Sequence, residues 1–151
     1  MSLSGIEFKL SKLSTLWDRL EPLARSHFLE VSYHTDWEFD LDKKAYETAC
    51  DNGNYKMFTV WHNGELVGYS GYFVTRHGHV NILQAYQDMI YLRPDYRKLN
   101  LGAQLIEFAD SLFKNLGVSA VFCAVTEKID YSKTLTPMGY KLVDRLFARR
   151  L

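Results

Sequence analysis

One stretch, residues 92–105, constrains the fold most strongly because three kinds of structure follow one another within it. An apolar strand ends at Leu92, Pro94 begins a small basic turn, and an amphipathic helix starts at Leu101. Pro94 ends the strand because it has no amide donor and biases Arg93 away from helix. The first amides of a helix lack internal partners and lie at the positive end of its dipole. The segment therefore predicts an anion-binding turn.

Three kinds of residue in this turn favour a phosphate ligand. Arg97 and Lys98 supply positive charge, and a guanidinium can hold a phosphate through two hydrogen bonds. Gly102 lets a ligand approach the backbone closely, and Asn100 tolerates a left-handed backbone better than most residues. The alternative is a strand-to-helix turn with a purely structural role.

Length and composition predict one domain without a strongly charged partner. The chain has 151 residues, 47% of them hydrophobic, which suffices for one core and not for two ordinary domains. Because 18 basic and 18 acidic residues give a formal net charge of +0, no overall field attracts nucleic acid or an acidic membrane. Without a membrane-length apolar run or a secretory signal pattern, we expect a cytoplasmic protein. Cys50 and Cys123 lack metal-ligand spacing, which predicts reduced core thiols.

The spacing of apolar residues predicts alternating strands and helices along the whole chain. Asn63-Gly64 is the strongest hairpin signal, and Pro22 should kink or divide the first helix. The predicted elements are a strand at 6–10, helices at 13–31 and 42–50, strands at 55–61, 66–74 and 80–92, a helix at 101–116, a strand at 118–125, a short helix at 132–137 and a strand at 140–147.

The turn resembles the acyl-CoA loop of the GCN5-related N-acetyltransferase (GNAT) family, whose pattern is Arg or Gln, two residues, Gly, one residue, then Gly or Ala. Arg97 and Gly102 match its ends, whereas Asn100 replaces the first Gly. The order of elements is also similar, and residues 138–140, Met-Gly-Tyr, resemble the Leu-Gly-Phe that opens the family's last strand. The resemblance implies a single domain over residues 1–151 with the α/β (α+β) GNAT fold, a mixed sheet of about six to seven strands flanked by about four helices.

The resemblance also implies acetyl-CoA as the acyl donor. Main-chain groups of Ile90, Tyr91 and Leu92 would pair with the pantetheine arm and the thioester carbonyl, because the fourth strand is expected to diverge from the fifth. The diphosphate would be held by the main-chain amides of Arg97, Lys98, Leu99, Asn100, Leu101, Gly102 and Ala103. Ile90 and Leu92 could equally serve the core through their side chains.

Asp88 and Tyr131 are the candidate catalytic residues. Acyl transfer to an amine requires removal of a proton and stabilisation of a leaving thiolate. Asp88 suits the base because a carboxylate at the apolar end of a strand needs a partner or a function, and alternation places it on the side of Ile90 and Leu92 unless a bulge intervenes. The family's usual Tyr acid is missing at Leu135, so Tyr131, one helical turn earlier, is its substitute.

Other interpretations of these residues are open. Asp88 could be a structural, hydrogen-bonded carboxylate, and Tyr131 could serve packing alone. No pair of histidines has convincing metal-ligand spacing, so we predict no metal. The histidines that compete with Asp88 for the role of base are His27, His34, His62, His77 and His79.

The acceptor implied by the resemblance is a small-molecule amine or a lysine side chain. In this fold the segment between the first two helices overhangs the acceptor cleft, and here residues 33–40 combine acidic and aromatic side chains that suit a cation. A surface loop with its rings packed inward is the alternative. Residues 88–94 and the following loop are also similar to acetyltransferase-like proteins of tailed bacteriophages.

The expected function is transfer of an acetyl group from acetyl-CoA to a primary amine by direct attack in a ternary complex. Asn100 and Leu135 depart from the family pattern and motivate an alternative, a catalytically weak or inactive CoA-binding or regulatory module of the same fold. Basic residues form no stripe for nucleic acid, and a homodimer is common for the fold.

Overall fold

The computed structural model describes residues 2–32 and 36–151. The helices and strands of these residues follow the predicted order almost to the end of the chain. They are β1 (Ile6–Ser11), α1 (Trp17–Val31), α2 (Lys43–Asp51), β2 (Tyr55–His62), β3 (Glu65–Arg76), β4 (Leu83–Leu92), α3 (Leu101–Asn115), β5 (Val118–Phe122) and α4 (Ser132–Leu135). Short 3-10 helices occupy Leu13–Thr15, Pro94–Leu99 and Thr136–Met138.

The five strands form one mixed sheet in the order β1-β2-β3-β4-β5. All neighbours are antiparallel except β4 and β5, which run parallel. The predicted hairpin joins β2 and β3, and its turn residues Asn63 and Gly64 have φ values of 49° and 82°. Positive φ at both positions is the geometry that an Asn-Gly pair adopts between antiparallel strands.

Both faces of the sheet are covered by helices, each over its own apolar cluster. On one face α3 buries Leu101 and Leu105 against Val60 and Val67 of the sheet. On the other face Leu16 and neighbouring residues of α1 pack against β2 and β3, together with α2. None of the helices in the described ranges is long and apolar enough to cross a bilayer.

Two predicted elements differ from the structure. α1 continues through Pro22 and is not divided there. Residues 140–147 form no strand, so the described residues hold five strands rather than about six to seven. The tail is fixed instead by the Tyr140 hydroxyl, 2.8 Å from Asp110 Oδ1, while Leu146 is 96% exposed. Alternating residues favour a strand only where a neighbouring edge supplies hydrogen bonds, and the tail has no such ladder.

Candidate active site

The pairing of β4 with β5 stops halfway along β4. β5 pairs with Leu83 to Tyr86, the last pair being Tyr86 with Phe122, whereas β4 continues to Leu92. The predicted divergence of these two strands is therefore confirmed. Along residues 87–92, main-chain groups on the β5 side of β4 have no strand partner among the described residues.

A cleft of about 440 Å³ opens at this divergence. Its walls come from α1, the end of β4, the turn before α3 and the segment around α4. The lining residues are His27, Glu30, Val31, Ile90, Tyr91, Leu92, Arg97, Lys98, Asn100, Gly102, Ala103, Ile129, Tyr131 and Thr134. Most predicted cofactor residues are among them; the side chains of Leu99 and Leu101 instead pack in the core on the α3 side.

The turn before α3 leaves helix amides free at the cleft. Asn100 has φ 58° and ψ 16°, so it adopts the left-handed conformation that the sequence predicts for it. The first hydrogen bond of α3 runs from the Gln104 amide to the Asn100 carbonyl, at 3.2 Å. The amides of Leu101, Gly102 and Ala103 precede that bond and lack partners within the helix. Three donors therefore point out of the helix start, where its dipole favours an anion.

Gly102 has a conformation that other residues could adopt. A Cβ added there would lie 3.6 Å from Leu92 Cδ1, an ordinary van der Waals distance. Internal packing thus does not require glycine at this position. A glycine at this position would also let a ligand approach the backbone closely, because Gly102 lines the cleft.

The Arg97 side chain is bound within the protein. Its Nε donates to the Leu92 carbonyl at 2.8 Å, and Nη2 lies 2.8 Å from both carboxylate oxygens of Glu30. The guanidinium also lies over the Tyr91 ring, 5.3 Å from its centroid. Arg97 thus ties the end of β4 to α1, whereas the sequence predicted a grip on phosphate. Lys98 is exposed at the mouth of the cleft.

Asp88 is the extra residue of a β-bulge, and this corrects the predicted face. Gln87 pairs with Tyr72 and Met89 with Gly71, so Asp88 has no partner on β3. Its carboxylate points to the α1 and α2 face, opposite to Ile90 and Leu92. The side chain is exposed, so it is not the buried carboxylate that the apolar sequence suggested.

Two tyrosines hold the Asp88 carboxylate. Tyr46 on α2 and Tyr55 on β2 donate to the same oxygen, Oδ2, at 2.8 and 3.0 Å. Burial, and then the charge of Asp88, raise the pKa of both hydroxyls above their ordinary value, so both stay protonated donors. No described residue hydrogen-bonds Oδ1, which leaves one carboxylate oxygen able to accept a proton.

Tyr131 lines the cleft opposite the free edge of β4. Its hydroxyl contacts Gln87 Oε1 and the Ala124 carbonyl, the latter at 2.8 Å. Burial raises the pKa of Tyr131 well above its ordinary value. Leu135, at the position of the family's usual acid, is buried. Tyr131 is thus the tyrosine of the α4 segment at this cleft, with its proton already shared by two acceptors.

His27 is the site residue whose importance the sequence analysis missed. It lines the cleft, its Nδ1 lies 3.0 Å from the Tyr69 hydroxyl, and its ring lies 5.3 Å from the Tyr91 ring. Burial is the main cause that lowers the pKa of His27 below 6.5, so the ring is neutral near pH 7. The sequence signal for this position was helical spacing: His27 follows the buried residues Leu20 and Ala24 by seven and three positions, which places it on the same face of α1.

The other histidines and the predicted acceptor segment contribute less to the described site. His62 contacts Tyr96 Oη at 2.8 Å, and His77 and His79 lie in the turn between β3 and β4. Residues 33–35, which include His34, lie outside the described residues. In the described part of the predicted acceptor segment, Phe39 packs inward against Phe28, whereas Trp37 is 52% exposed.

The sequence matches the family model described as "Acetyltransferase (GNAT) family" over residues 16–133. The chain belongs to the GNAT acetyltransferase family, and as a member it is an acyltransferase that uses acetyl-CoA. The expected fold class is confirmed together with the family. No curated protein sequence matches the chain significantly.

Solved structures share this fold at low sequence identity. An aminoglycoside acetyltransferase from an uncultured soil metagenomic sample, solved with sisomicin, has a TM-score of 0.75 and 14% identity, with 97% of each chain covered. The ribosomal-protein-alanine N-acetyltransferase of Brucella melitensis has a TM-score of 0.77 and 15% identity, covering 97% of this chain and 99% of that one. A predicted acetyltransferase from Clostridium acetobutylicum, solved with acetyl-CoA, has a TM-score of 0.74 and 9% identity, with 96% of each chain covered.

Proposed function

We propose that the protein transfers the acetyl group of acetyl-CoA to a primary amine by direct attack within a ternary complex, through residues 1–151 acting as one domain. The observation that carries this proposal is the divergence of β4 from β5 beside the free amides of α3. Acetyl-CoA has an amide-containing pantetheine arm, which can pair with a free strand edge, and a diphosphate, which free helix amides can bind. The neighbours' names, an aminoglycoside acetyltransferase and a ribosomal-protein-alanine N-acetyltransferase, support an amine acceptor of either small-molecule or protein origin.

The cofactor is held mainly by main-chain groups. The edge of β4 at Ile90, Tyr91 and Leu92 would pair with the pantetheine arm as with an added strand. The Leu92 carbonyl is already occupied by Arg97 Nε at 2.8 Å, so the remaining main-chain groups of this edge would hold the arm. The amides from Arg97 to Ala103 surround the diphosphate, and Lys98 adds its charge. In this assignment the Arg97 guanidinium is a positioning group that fixes the end of β4 against Glu30.

Asp88 is the proposed base. Its Oδ1 can take the proton of the attacking ammonium, while Tyr46 and Tyr55 fix the carboxylate through Oδ2. His27 is a second candidate because its imidazole is neutral and lies in the cleft. Tyr131 is the proposed donor to the leaving thiolate, and to act its hydroxyl exchanges the Gln87 side chain or the Ala124 carbonyl for the sulfur. The thiolate itself already leaves tolerably, with a thiol pKa near 8.5.

Calorimetric titration with acetyl-CoA, followed by a thiol-release assay over a panel of primary amines, tests the proposal. We expect saturable binding and amine-dependent release of CoA. The alternative, a CoA-binding module without turnover, is favoured by the departures at Asn100 and Leu135. Saturable binding with no release for any amine would support that module, and no binding at millimolar acetyl-CoA would remove both.

A further inference from the structure

A row of four aromatic residues crosses the sheet on the α1 and α2 face. Tyr55 pairs in register with Phe73, Phe73 with Tyr86, and Tyr86 with Phe122. Residues directly opposite one another on neighbouring strands share a face, so one ring from each of β2, β3, β4 and β5 lies along the row. Tyr55 and Phe73 meet edge to face at 4.8 Å, and Tyr86 and Phe122 stack at 4.7 Å with only 10° between their planes.

This aromatic row is covered at its Tyr55 end and open along the rest, where Phe73 is 37% exposed. α2 lays Tyr46 over the Tyr55 end, with ring centroids 5.1 Å apart, and Tyr55 is fully buried. At the other end Tyr86 is 40% exposed, and Phe122 is half-buried. Aromatic carbon left open to solvent in this way can pack against the ring of a ligand.

The open pair lies beside the proposed base. Asp88 follows Tyr86 by two residues on β4 and faces the same side of the sheet. Two residues of a strand span about 7 Å. A nitrogen at the Asp88 carboxylate and a ring over Tyr86 and Phe122 are therefore separated by the length of a short carbon chain.

We propose that the acceptor is an arylalkylamine, a primary amine on a short chain that ends in a flat aromatic ring. This inference rests on the proposed function and names the substrate class of the same site. The ring packs on Tyr86 and Phe122, and the ammonium faces Asp88. The nitrogen loses a proton to Asp88 and forms a bond to the acetyl carbon; the carbon–sulfur bond then breaks, and its electron pair leaves on the CoA sulfur.

The chemistry of the open pair favours an aromatic ring over a sugar. The Tyr86 hydroxyl already donates to Gln84 Oε1 at 2.7 Å, and Gln84 is itself buried. Because the two rings stack on each other, the pair presents aromatic carbon, against which a ligand ring can pack edge to face. A sugar ring would instead need partners for several hydroxyls. Asp88, two residues from Tyr86 on the same face, supplies a carboxylate that can face the ammonium group.

A comparison of 2-phenylethylamine with n-butylamine tests the inference. We expect kcat/KM to be about tenfold higher for the amine with the ring, the usual scale of one well-packed aromatic contact. Tyr86→Leu, which keeps bulk but removes the ring, should narrow this ratio to about twofold by raising KM for 2-phenylethylamine. Tyr86→Phe is the matched control and should keep the ratio, because the hydroxyl makes only the bond to Gln84.

The outcomes separate this inference from the proposed function. Phe122→Leu provides a second variant at the same surface, and thermal unfolding checks that each variant is folded. Acetylation of both amines at equal kcat/KM, or an unchanged ratio in folded Tyr86→Leu and Phe122→Leu, overturns the ring-binding role and leaves amine acetylation intact. Binding of acetyl-CoA without acetylation of any amine overturns the proposed function itself.

Discussion

The proposed cofactor and acceptor sides of the site use different kinds of chemical group. On the cofactor side, main-chain amides at the start of α3 and the free edge of β4 offer the hydrogen bonds. On the proposed acceptor side, the groups are side chains on the α1 and α2 face, with Asp88 fixed by Tyr46 and Tyr55 and an open ring at Tyr86. A main-chain site depends on the path of the backbone, whereas a side-chain site depends on which residues the fold brings together. Substitutions should therefore affect the two sides differently.

The largest expected effect is loss of the base on the acceptor side. Asp88→Asn keeps the size of the side chain and removes its ability to accept the proton, so we expect kcat to fall by about 100-fold or more. The dissociation constant for acetyl-CoA should stay within about twofold of the wild-type value, because the Asp88 carboxylate is not part of the proposed cofactor side. Steady-state kinetics and calorimetry measure the two quantities.

Asp51→Asn is the matched control for Asp88→Asn, since Asp51 is an exposed carboxylate at the end of α2. It should leave kcat unchanged. If Asp88→Asn keeps full kcat while His27→Gln loses it, the base is His27 and the assignment of Asp88 is wrong.

The contrast between main-chain and side-chain groups also explains which parts of the site could be predicted from the sequence. The turn before α3 depends on residues within one short segment, so Pro94, Asn100 and Gly102 could be interpreted where they stand. The face of Asp88 depends on a bulge in the pairing of β3 with β4, and periodicity alone cannot locate an extra residue in a ladder. The alternation rule therefore placed this side chain on the wrong face.

Gly102→Ala tests the cofactor side without disturbing the fold. A methyl group there would meet only Leu92 at ordinary distance inside the protein, but it would enter the cleft. We expect acetyl-CoA to bind about tenfold more weakly while the melting temperature holds or rises, because Ala is the better helix residue. Calorimetry and thermal unfolding measure both.

Gly78→Ala is the control for Gly102→Ala, because its Cβ would meet nothing within 4 Å and Gly78 lies in the turn between β3 and β4. It should not alter acetyl-CoA binding. Unchanged affinity in Gly102→Ala would show that the ligand does not approach this backbone closely.

Long-range packing explains the other differences from the sequence-based predictions. The tail at residues 140–147 has the alternation of a strand, but no ladder forms along it. His27 lies on the buried face of α1 together with Ala24, and only the packing of Tyr69 and Tyr91 around it makes it a residue of the cleft. Local pattern predicts the type of an element, whereas its neighbours are decided by the whole fold.

Asn100 tests how much the cofactor side depends on the backbone path alone. Asn100→Ala places in the left-handed region a residue that tolerates it less well than Asn, which should lower the free energy of unfolding by about 1 kcal/mol. Asn100→Gly should avoid that cost and bind acetyl-CoA at least as tightly, as the family pattern implies. Urea unfolding and calorimetry give both results; equal losses in the two variants would mean that the amide side chain itself contributes.

The smallest expected effect concerns His27, which borders both sides. Burial lowers the folded-state pKa of His27 below the unfolded value near 6.5. At pH values between the folded-state and unfolded-state pKa, His27 binds a proton in the unfolded chain but not in the folded chain. The free energy of unfolding is therefore highest above pH 6.5 and decreases as the pH falls through this range. His27→Gln should flatten this part of the pH dependence, measured as the free energy of unfolding by urea at pH 7.5 and pH 5.5.

His79→Gln, in an exposed turn, should leave the dependence unchanged. If both variants show the wild-type dependence of the free energy of unfolding on pH, burial does not keep the His27 ring neutral, and the argument for His27 as a base fails.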